Sequence, residues 1–338
     1  MYVDVALDSI ITYAITVGAS DIHFDPILNG IQVRLRIDGL LTEYMLVDAT
    51  DADMLVNRIK VFSGMDISEK RLPQDGRWEW SVKSYAVTMR VSSLPSLYGE
   101  AIVCRLMGNE GVHKNLVELG MDAELREKIT ALLKRPYGLI TICGPTGSGK
   151  TATLYAMLRM LNLKETKLIC LEDPVEATIE GAIQIGINEK IGFTFSKGLR
   201  TVLRQDPDSI MIGEIRDNET AQLAVKAALT GHRVITTVHT NTALGVIGRL
   251  VDMGVEPYLL HATLIGSLSQ RLVRRIDSTT HSYQGRLGLF EYLEIPFSDI
   301  DWDHVEQYMF TSLQDSAHLA INSGITTLEE VHRAGILL

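Results

Sequence analysis

The sequence has few cysteines, no long apolar segment and no excess of basic residues, and each absence excludes a class of protein. Its three cysteines, Cys104, Cys143 and Cys170, lie in separate apolar runs and form no CxxC pair. Such spacing excludes a disulfide framework and offers no zinc-ligand pattern. We therefore expect buried free thiols in a reducing compartment.

No apolar run approaches the roughly 18 residues that a membrane-spanning helix needs, and the N-terminus lacks the regions of a signal peptide. We therefore expect a cytoplasmic protein. The formal net charge of −10 argues against a nucleic-acid groove or an anionic membrane surface as the main partner, because both need a basic footprint. The 338 residues, 46% of them hydrophobic, are enough for two domains with separate cores.

The N-terminal third combines helical and strand periodicity. Apolar residues at helical spacing predict helices over 3–17 and 51–62. Alternating residues predict strands at 31–37, 77–82, 85–91 and 101–106, with a hairpin turn at 38–39. Helices packed on one antiparallel sheet predict a small α+β domain over residues 1–107, followed by a linker at 108–115.

The remainder, residues 116–338, alternates strands with helices. Strands are expected at 138–143, 167–171, 183–187, 209–213 and 233–238. This alternation is typical of an α/β domain with a mostly parallel sheet and helices on both faces. Ligands of such sheets bind at the carboxyl ends of the strands, so the residues there are the candidates for function.

A complete phosphate-binding motif joins the first of these strands to a helix predicted over 152–163. Its glycines allow a turn whose N–H groups point at phosphate oxygens, while Lys150 reaches the β and γ phosphates and the Thr151 hydroxyl can bind Mg²⁺. The dipole of the following helix strengthens the same anion site. The candidate nucleotide-binding residues are Gly144, Pro145, Thr146, Gly147, Ser148, Gly149, Lys150, Thr151 and Ala152.

Acidic and imidazole side chains follow three other strands at the same predicted edge. Phosphoryl transfer to water needs one carboxylate to orient the water and another to hold Mg²⁺ through its water shell. Glu214 is the stronger single candidate because it ends a buried strand, while Glu172 and Glu176 compete for the second role. Mg²⁺ would depend on Thr151 and on water held by Glu214 or Glu172. His239 is placed to detect the γ phosphate. Turn or helix-capping carboxylates and a core histidine remain the alternative.

Residues 144–151, 171–176, 203–221 and 231–241 resemble the Walker A, Asp box, Walker B and His box of the secretion and type IV pilus ATPase superfamily. Segments 19–26, 33–39, 71–77 and 90–100 follow the same family, so the resemblance covers nearly the whole chain. It points to type II secretion and pilus assembly ATPases. The layout, which opens at the first helix of the N-terminal domain, is most similar to a Gram-positive competence pilus ATPase.

The resemblance implies a PAS-like N-terminal domain followed by a RecA-like ATPase domain with a C-terminal helical part, and six copies in a ring. It implies ATP and Mg²⁺ as cofactors, with the nucleotide between the domains, and Arg90 and Arg105 as arginine fingers on the phosphates. Many relatives carry a four-cysteine zinc module after a segment similar to 270–274. No cysteine follows Cys170 in this sequence, so we expect no zinc.

The resulting hypothesis is a cytoplasmic, homo-hexameric ATPase motor. It would drive assembly of a type IV pilus-like, competence or type II secretion pseudopilus filament through a polytopic inner-membrane platform protein, which would also hold it at the membrane. A pilus retraction motor and a DNA-stimulated RecA-like translocase remain the alternatives. The acidic net charge favours no direct contact with nucleic acid.

Overall fold

The structure is a computed structural model that describes residues 3–82, 85–107, 111–296 and 300–338. Over these residues the chain divides into two compact units, Met1–Glu110 and Gly111–Leu338. Part of the segment predicted as a linker, residues 108–110, lies outside the described residues. No helix in the described ranges is both long and apolar enough to cross a membrane.

Within its described residues, the first unit is a six-stranded antiparallel sheet with two helices packed on one face. The strand order is β3-β2-β1-β6-β5-β4, and buried residues of the sheet and of both helices form one core. Strands β1 and β3 are absent from the sequence prediction. Asp21 and Pro26 in β1 are residue types that strands disfavour, and residues 40–48 do not alternate. The elements are α1 (Val3–Thr16), β1 (Asp21–Ile27), β2 (Gly30–Ile37), β3 (Leu40–Asp48), α2 (Ala49–Phe62), β4 (Gln74–Val82), β5 (Tyr85–Ser96) and β6 (Gly99–Met107).

The second unit begins with alternating helices and strands. These elements are α3 (Ala123–Leu133), β7 (Gly138–Cys143), α4 (Lys150–Leu158), β8 (Leu168–Glu172), β9 (Ile183–Gly186), α5 (Phe195–Val202), β10 (Ser209–Ile212), α6 (Asn218–Leu229), β11 (Arg233–Val238), α7 (Gly245–Asp252) and α8 (Pro257–Thr263). It ends with β12 (Leu264–Ile276), β13 (Tyr283–Glu294), β14 (Met309–Thr311), α9 (Leu313–Asn322) and α10 (Leu328–Arg333).

The strands of this unit form one sheet in the order β14-β13-β12-β7-β11-β10-β8-β9 across its described residues. The sheet is parallel from β12 to β9 and antiparallel at β13 and β14. Helices α5 to α8 cover one face, and α3 and α4 cover the other, so apolar cores lie on both sides. Burial on both faces explains why strands such as β7 read as continuous apolar runs. The fold is therefore mixed α/β.

The five strands predicted for this unit agree with β7 to β11 to within one residue at each end. Helix α4 starts at Lys150 and ends at Leu158, earlier at both ends than predicted. The long pair β12 and β13 was not predicted, and it adds sheet before the C-terminal helices α9 and α10. Strand β12 carries serine, glutamine and arginine at positions that are buried on a central strand, and these polar residues hide its strand character.

Helix α10 is attached to β12 through the buried carboxylate of Glu330. This side chain is 1% exposed and accepts hydrogen bonds from Arg274 and from Arg333, whose Nη2 lies 2.7 Å from Oε2. Burial raises the pKa of Glu330, but the hydrogen bonds and charges of the arginines outweigh that effect and hold the pKa at about 2. Ionised Glu330 therefore stabilises the folded unit.

We expect Glu330→Gln to lower the free energy of unfolding by about 3 kcal/mol at pH 7, the value of a pKa shift from 4.5 to about 2. Because the folded-state pKa is depressed, this stabilisation is complete above about pH 4.5 and is lost as the pH falls toward 2. Urea unfolding at a series of pH values measures it. The neighbouring, exposed Glu329→Gln is the matched control, and equal stability of the Glu330 variant and the parent at pH 7 would contradict the assignment.

Candidate phosphate-binding site

The loop at residues 144–149 leaves the buried strand β7 and enters α4. Gly144, Gly147 and Gly149 have φ values of +145°, +77° and +87°, a region that residues with side chains rarely adopt. A Cβ on Gly144 would lie 2.5 Å from Ser148 Oγ, and one on Gly149 would lie 2.8 Å from Gln270 Nε2. Glycine is thus required at both ends of the loop by backbone conformation and by the lack of space.

Lys150 begins α4 and folds back over the loop. Its Nζ donates to the carbonyl oxygens of Gly144 and Pro145, at 2.9 Å in each case, and the residue is buried. Burial lowers the pKa of Lys150, while the charge of Glu214 is among the effects that oppose the shift. Phosphate oxygens carry full charge and accept stronger hydrogen bonds than carbonyls, so they would compete well for this ammonium group.

The N-terminus of α4 lies at the end of this loop and has no side-chain cap. Its N-cap residue is Gly149, which has no side chain that could accept a hydrogen bond from the first N–H groups of the helix. Thr151 lies in this first turn and is half-buried. Uncapped N–H groups and the positive end of the helix dipole together favour an anion at this place.

Glu214 follows β10 and is positioned by the strands on either side. The N–H of Gly213 donates to the Leu171 carbonyl at 2.8 Å, and the Gly213 carbonyl accepts from the Thr237 hydroxyl at 2.6 Å. The N–H of Ile215 donates to the Thr237 carbonyl at 3.1 Å. These bonds flank Glu214 and hold it at the carboxyl edge of the sheet.

The carboxylate of Glu214 is bound by cationic and imidazole groups. Arg216 Nη2 donates to Oε1, and His239 Nε2 lies 3.4 Å from Oε2. Arg216 also lies 3.7 Å from Asp173. Burial raises the pKa of Glu214, but the hydrogen bond and charge of Arg216, with a smaller contribution from His239, outweigh it and lower the pKa. The structure therefore brings an ionised Glu214 and His239 together, within electrostatic reach of Lys150.

Glu172 has a different environment from Glu214. It ends β8, is 3% exposed, and accepts hydrogen bonds from the Tyr155 hydroxyl and from Gln184 Nε2, the latter at 2.9 Å. The Tyr155 oxygen also accepts from the backbone N–H groups of Glu176 and Ala177, at 3.2 Å each. The described contacts of Glu172 thus connect α4 to the segment that follows β8, and the carboxylate acts as a buried anchor.

Arg90 and Arg105 lie on the sheet of the first unit and are directly opposite each other on β5 and β6. Arg77 on β4 is opposite Arg90, and all three side chains are exposed. Arg105 Nε also pairs with Asp21 at 2.8 Å. Like charges opposite each other on neighbouring strands repel each other. The row formed by these three arginines would therefore favour a bound anion.

A cavity of about 480 Å³ adjoins the loop at Pro145. Arg271 on β12, Glu291 on β13 and the C-terminal segment 334–337 contribute to its lining. Arg271 donates to the Asn241 carbonyl at 2.8 Å, and burial lowers its pKa. The volume is in the range of small-molecule sites, which is roughly 300–1,000 Å³.

Metal-binding groups are sparse in the part of the chain that the structure describes. It contains no cluster of three or more histidine, cysteine, aspartate or glutamate side chains that could hold a metal ion. Mg²⁺ bound together with a nucleotide usually takes one or two protein ligands and completes its shell with phosphates and water. Thr151 and Glu214 remain suitable for that purpose. Cys104, Cys143 and Cys170 are buried and free within the described residues, as predicted.

Three residues next to these sites were not singled out from the sequence: Tyr155, Gln270 and Arg77. Gln270 offered a signal only as the first residue of segment 270–274, because its sequence neighbours Ser269 and Arg271 are polar as well and hide the strand. Arg77 offered one too, because it lies in a strand with the same alternation as Arg90. Tyr155 offered none, because a tyrosine in an apolar helix is usually a core residue.

A phosphate-binding loop between a central strand of a mostly parallel sheet and a helix defines the class of this protein, a P-loop protein of mixed α/β fold. The chain belongs to the Type II/IV secretion system protein family, whose family model matches residues 2–333.

Similar proteins agree with this assignment. Type II secretion system protein E of Klebsiella pneumoniae is 49% identical over 270 residues, 80% of this chain and 54% of the relative. Type II secretion system ATPase E of Vibrio cholerae is 40% identical over an alignment of 372 positions, gaps included, that covers 97% of this chain and 74% of the relative. This chain thus spans about half the length of the Klebsiella relative. Among solved structures, the pilus retraction motor PilT with bound ADP is similar, with a TM-score of 0.68, 29% identity and 96% of each chain covered.

Proposed function

We propose that this chain is an ATP-hydrolysing motor of a type II secretion or type IV pilus assembly system. The observation that carries the proposal is the proximity of a complete phosphate-binding loop to the ionised Glu214. The similar proteins support ATP as the substrate, because one relative is named an ATPase and the similar PilT structure holds ADP. Identities of 40–49% to type II secretion proteins E favour secretion or assembly over the retraction role of PilT, at 29%.

In this proposal the first unit is the PAS-like domain and the second is the RecA-like ATPase domain. Six copies form a ring, which works in the cytoplasm on a polytopic inner-membrane platform protein. Cycles of ATP binding and hydrolysis change the conformation of each subunit, and this movement does work on the platform protein. Family membership is the support for this assembly, because members are named as parts of secretion and pilus machines.

Each residue of the loop region then has a chemical task. The loop N–H groups and Lys150 bind the phosphates, and the glycines keep those N–H groups directed inward. Thr151 and Glu214 would hold Mg²⁺, the latter through water, and the metal would supply positive charge to the phosphate oxygens. Glu214 orients the attacking water, because its low pKa keeps it an acceptor at neutral pH. His239, in contact with Glu214, detects the γ phosphate.

Glu172 receives a revised task, since its carboxylate is buried on Tyr155 and Gln184. We assign it to hold α4 in place relative to the segment after β8. Arg216 is a further positioning residue, because it binds Glu214 directly and also lies near Asp173. Both assignments concern the orientation of groups around the phosphates.

Arg90 and Arg105 are proposed as arginine fingers that neutralise phosphate charge. Their support in the structure is the exposed row that they form with Arg77, where mutual repulsion favours an anion. Arginine is suited to this task because its planar guanidinium binds phosphate through two parallel hydrogen bonds.

The purified chain should hydrolyse ATP in the presence of Mg²⁺, and chelation of the metal should abolish turnover. Phosphate release is measured with and without single- and double-stranded DNA at a stated salt concentration. Turnover that is unchanged by DNA is expected, while strong stimulation by DNA would favour the translocase alternative. Failure to bind either ATP or ADP would refute the proposal.

A further inference from the structure

Two buried polar side chains next to the phosphate-binding loop have hydrogen-bonding capacity that the fold leaves unused. Gln270 on β12 is fully buried, and its Nε2 has no hydrogen-bond partner among the described residues. The hydroxyl of Ser148, inside the loop, is also buried and lacks a partner within that same part of the chain. Buried polar groups are nearly always paired in folded proteins, so two exceptions at one loop need an explanation.

Gln270 lies directly against the first and last glycines of the loop. The pairing of β12 with β7 reaches Ser269 and Cys143, so Gln270 is placed beside Gly144, where the loop begins. Its backbone oxygen is 2.6 Å from the position of a Cβ on Gly144, and its Nε2 is 2.8 Å from that position on Gly149. Both ends of the loop are thus in contact with one residue of β12.

The other side of the same carboxamide contacts α4. Gln270 Oε1 accepts a hydrogen bond of 2.6 Å from the hydroxyl of Thr153, which is fully buried in the first turn of the helix. The N–H of Thr153 in turn donates to the Gly149 carbonyl at 3.2 Å. The bond from Thr153 orients the carboxamide, with its oxygen toward the helix and its Nε2 toward the loop.

We propose that Gln270 is a positioning residue for phosphate binding, a role that rests on the nucleotide binding proposed for this loop. It holds the first turn of α4 through Thr153 and supports the loop backbone at Gly149, so that the loop N–H groups point at phosphate oxygens. Gln270 acts through the backbone and does not itself contact the phosphates.

The donors without partners, Gln270 Nε2 and the Ser148 hydroxyl, can form hydrogen bonds once a phosphate binds to the loop. Lys150 Nζ is bonded to the carbonyl oxygens of Gly144 and Pro145, and phosphate oxygens would draw it away from them. Carbonyl groups released in this way need new donors, because unpaired buried carbonyls are costly. Gln270 Nε2 and the Ser148 hydroxyl are donors within the same loop and helix junction.

The test compares ADP affinity in three variants by isothermal titration calorimetry with Mg²⁺. Gln270→Met keeps the volume and removes both hydrogen-bonding ends, and it should weaken ADP binding about tenfold or more. Thr153→Val removes the donor to Oε1 and should weaken binding less. The matched control is Thr326→Val, which removes a buried hydroxyl whose 2.9 Å hydrogen bond goes to the Arg274 carbonyl on the same strand. It should lower the melting temperature and leave ADP affinity within about twofold of the parent.

A purely structural role would move the melting temperature alone, so affinity is the discriminating measurement. The double variant Gln270→Met with Thr153→Val should weaken binding by less than the product of the single effects, because both substitutions break the same contact. Parent-like ADP affinity in a folded Gln270→Met protein would overturn the inference. Failure of the parent itself to bind ADP would instead overturn the proposed function.

Gln270→Glu provides a second measurement that is valid even if the methionine variant does not fold. A carboxyl group buried at this position has a raised pKa, and its ionised form would repel phosphates. ADP affinity of this variant should therefore improve as the pH falls through that pKa, while the parent shows no such change over the same range. An affinity with the same pH dependence as the parent would show that residue 270 does not act on phosphate binding.

Discussion

Lys150→Ala should abolish ATP hydrolysis, with kcat/KM at least about three orders of magnitude below the parent. The substitution removes the cation that we propose neutralises the β and γ phosphates, and no other lysine lies in the loop. Nucleotide affinity should fall as well, because the contact exists before the reaction begins. Steady-state phosphate release and calorimetry with ADP measure the two losses separately.

The fold should tolerate this change. Removing this buried charge relieves its desolvation. The two carbonyl oxygens that lose Lys150 as a donor have Gln270 Nε2 and the Ser148 hydroxyl as donors nearby, so the melting temperature should stay near that of the parent. The exposed Lys164→Ala is the matched control and should retain full turnover. A folded Lys150→Ala protein with parent-like turnover would show that the phosphate-binding loop has no part in hydrolysis.

Mixing variants extends this prediction to the proposed shared site. Arg90→Ala should also be inactive if it supplies charge to a nucleotide held by a neighbouring subunit. Mixed rings of Arg90→Ala and Lys150→Ala subunits should then recover some turnover, because certain neighbours together form one intact site. Absence of recovery at every ratio would contradict a site shared between subunits.

Glu214→Gln should preserve ATP binding while kcat falls by about two to four orders of magnitude. The amide has the same shape, but it is a weaker acceptor and cannot hold the attacking water as a carboxylate does. It also loses the charge interaction with Arg216 and His239. Single-turnover hydrolysis measures the chemical step, and calorimetry with an unhydrolysed ATP analogue measures binding.

Glu172→Gln is the informative comparison for this variant. Its carboxylate is buried between Tyr155 and Gln184, so the amide should disturb that network and lower the melting temperature. We expect a smaller decrease in kcat than for Glu214→Gln. If kcat fell more in Glu172→Gln than in Glu214→Gln, Glu172 would be the residue that activates water, and the assignment to Glu214 would be wrong.

Sequence patterns alone were sufficient for the regular part of the molecule. The strands from β7 to β11 were predicted because burial on both faces makes each a short apolar run between polar segments. The antiparallel sheet of the first unit was predicted from alternation, except at β1, where Asp21 and Pro26 interrupt it, and at β3, whose residues 40–48 do not alternate. The strands β12 and β13 were missed because their polar residues are buried by contacts with distant parts of the chain.

Glu172 and Glu214 show the same limit of prediction from the sequence. Glu172 and Glu214 each follow a buried strand, and nothing in their local sequence separates their environments. Their different surroundings arise from residues far apart in the chain: Tyr155 and Gln184 around one, His239 with Arg216 around the other. Strand ends can be predicted from periodicity, whereas the direction of each side chain depends on the helices that cover the sheet.

By itself the sequence determined the phosphate-binding loop, the alternation of strands and helices and the edge of the sheet where polar residues gather, because these follow from local spacing. Tertiary structure alone decided that Gln270 lies against the loop, that Glu172 is buried on Tyr155 and that Glu214 lies beside His239 with a lowered pKa. Hydrogen bonds and desolvation act through space over a few ångströms, and only the packed chain brings these distant residues that close.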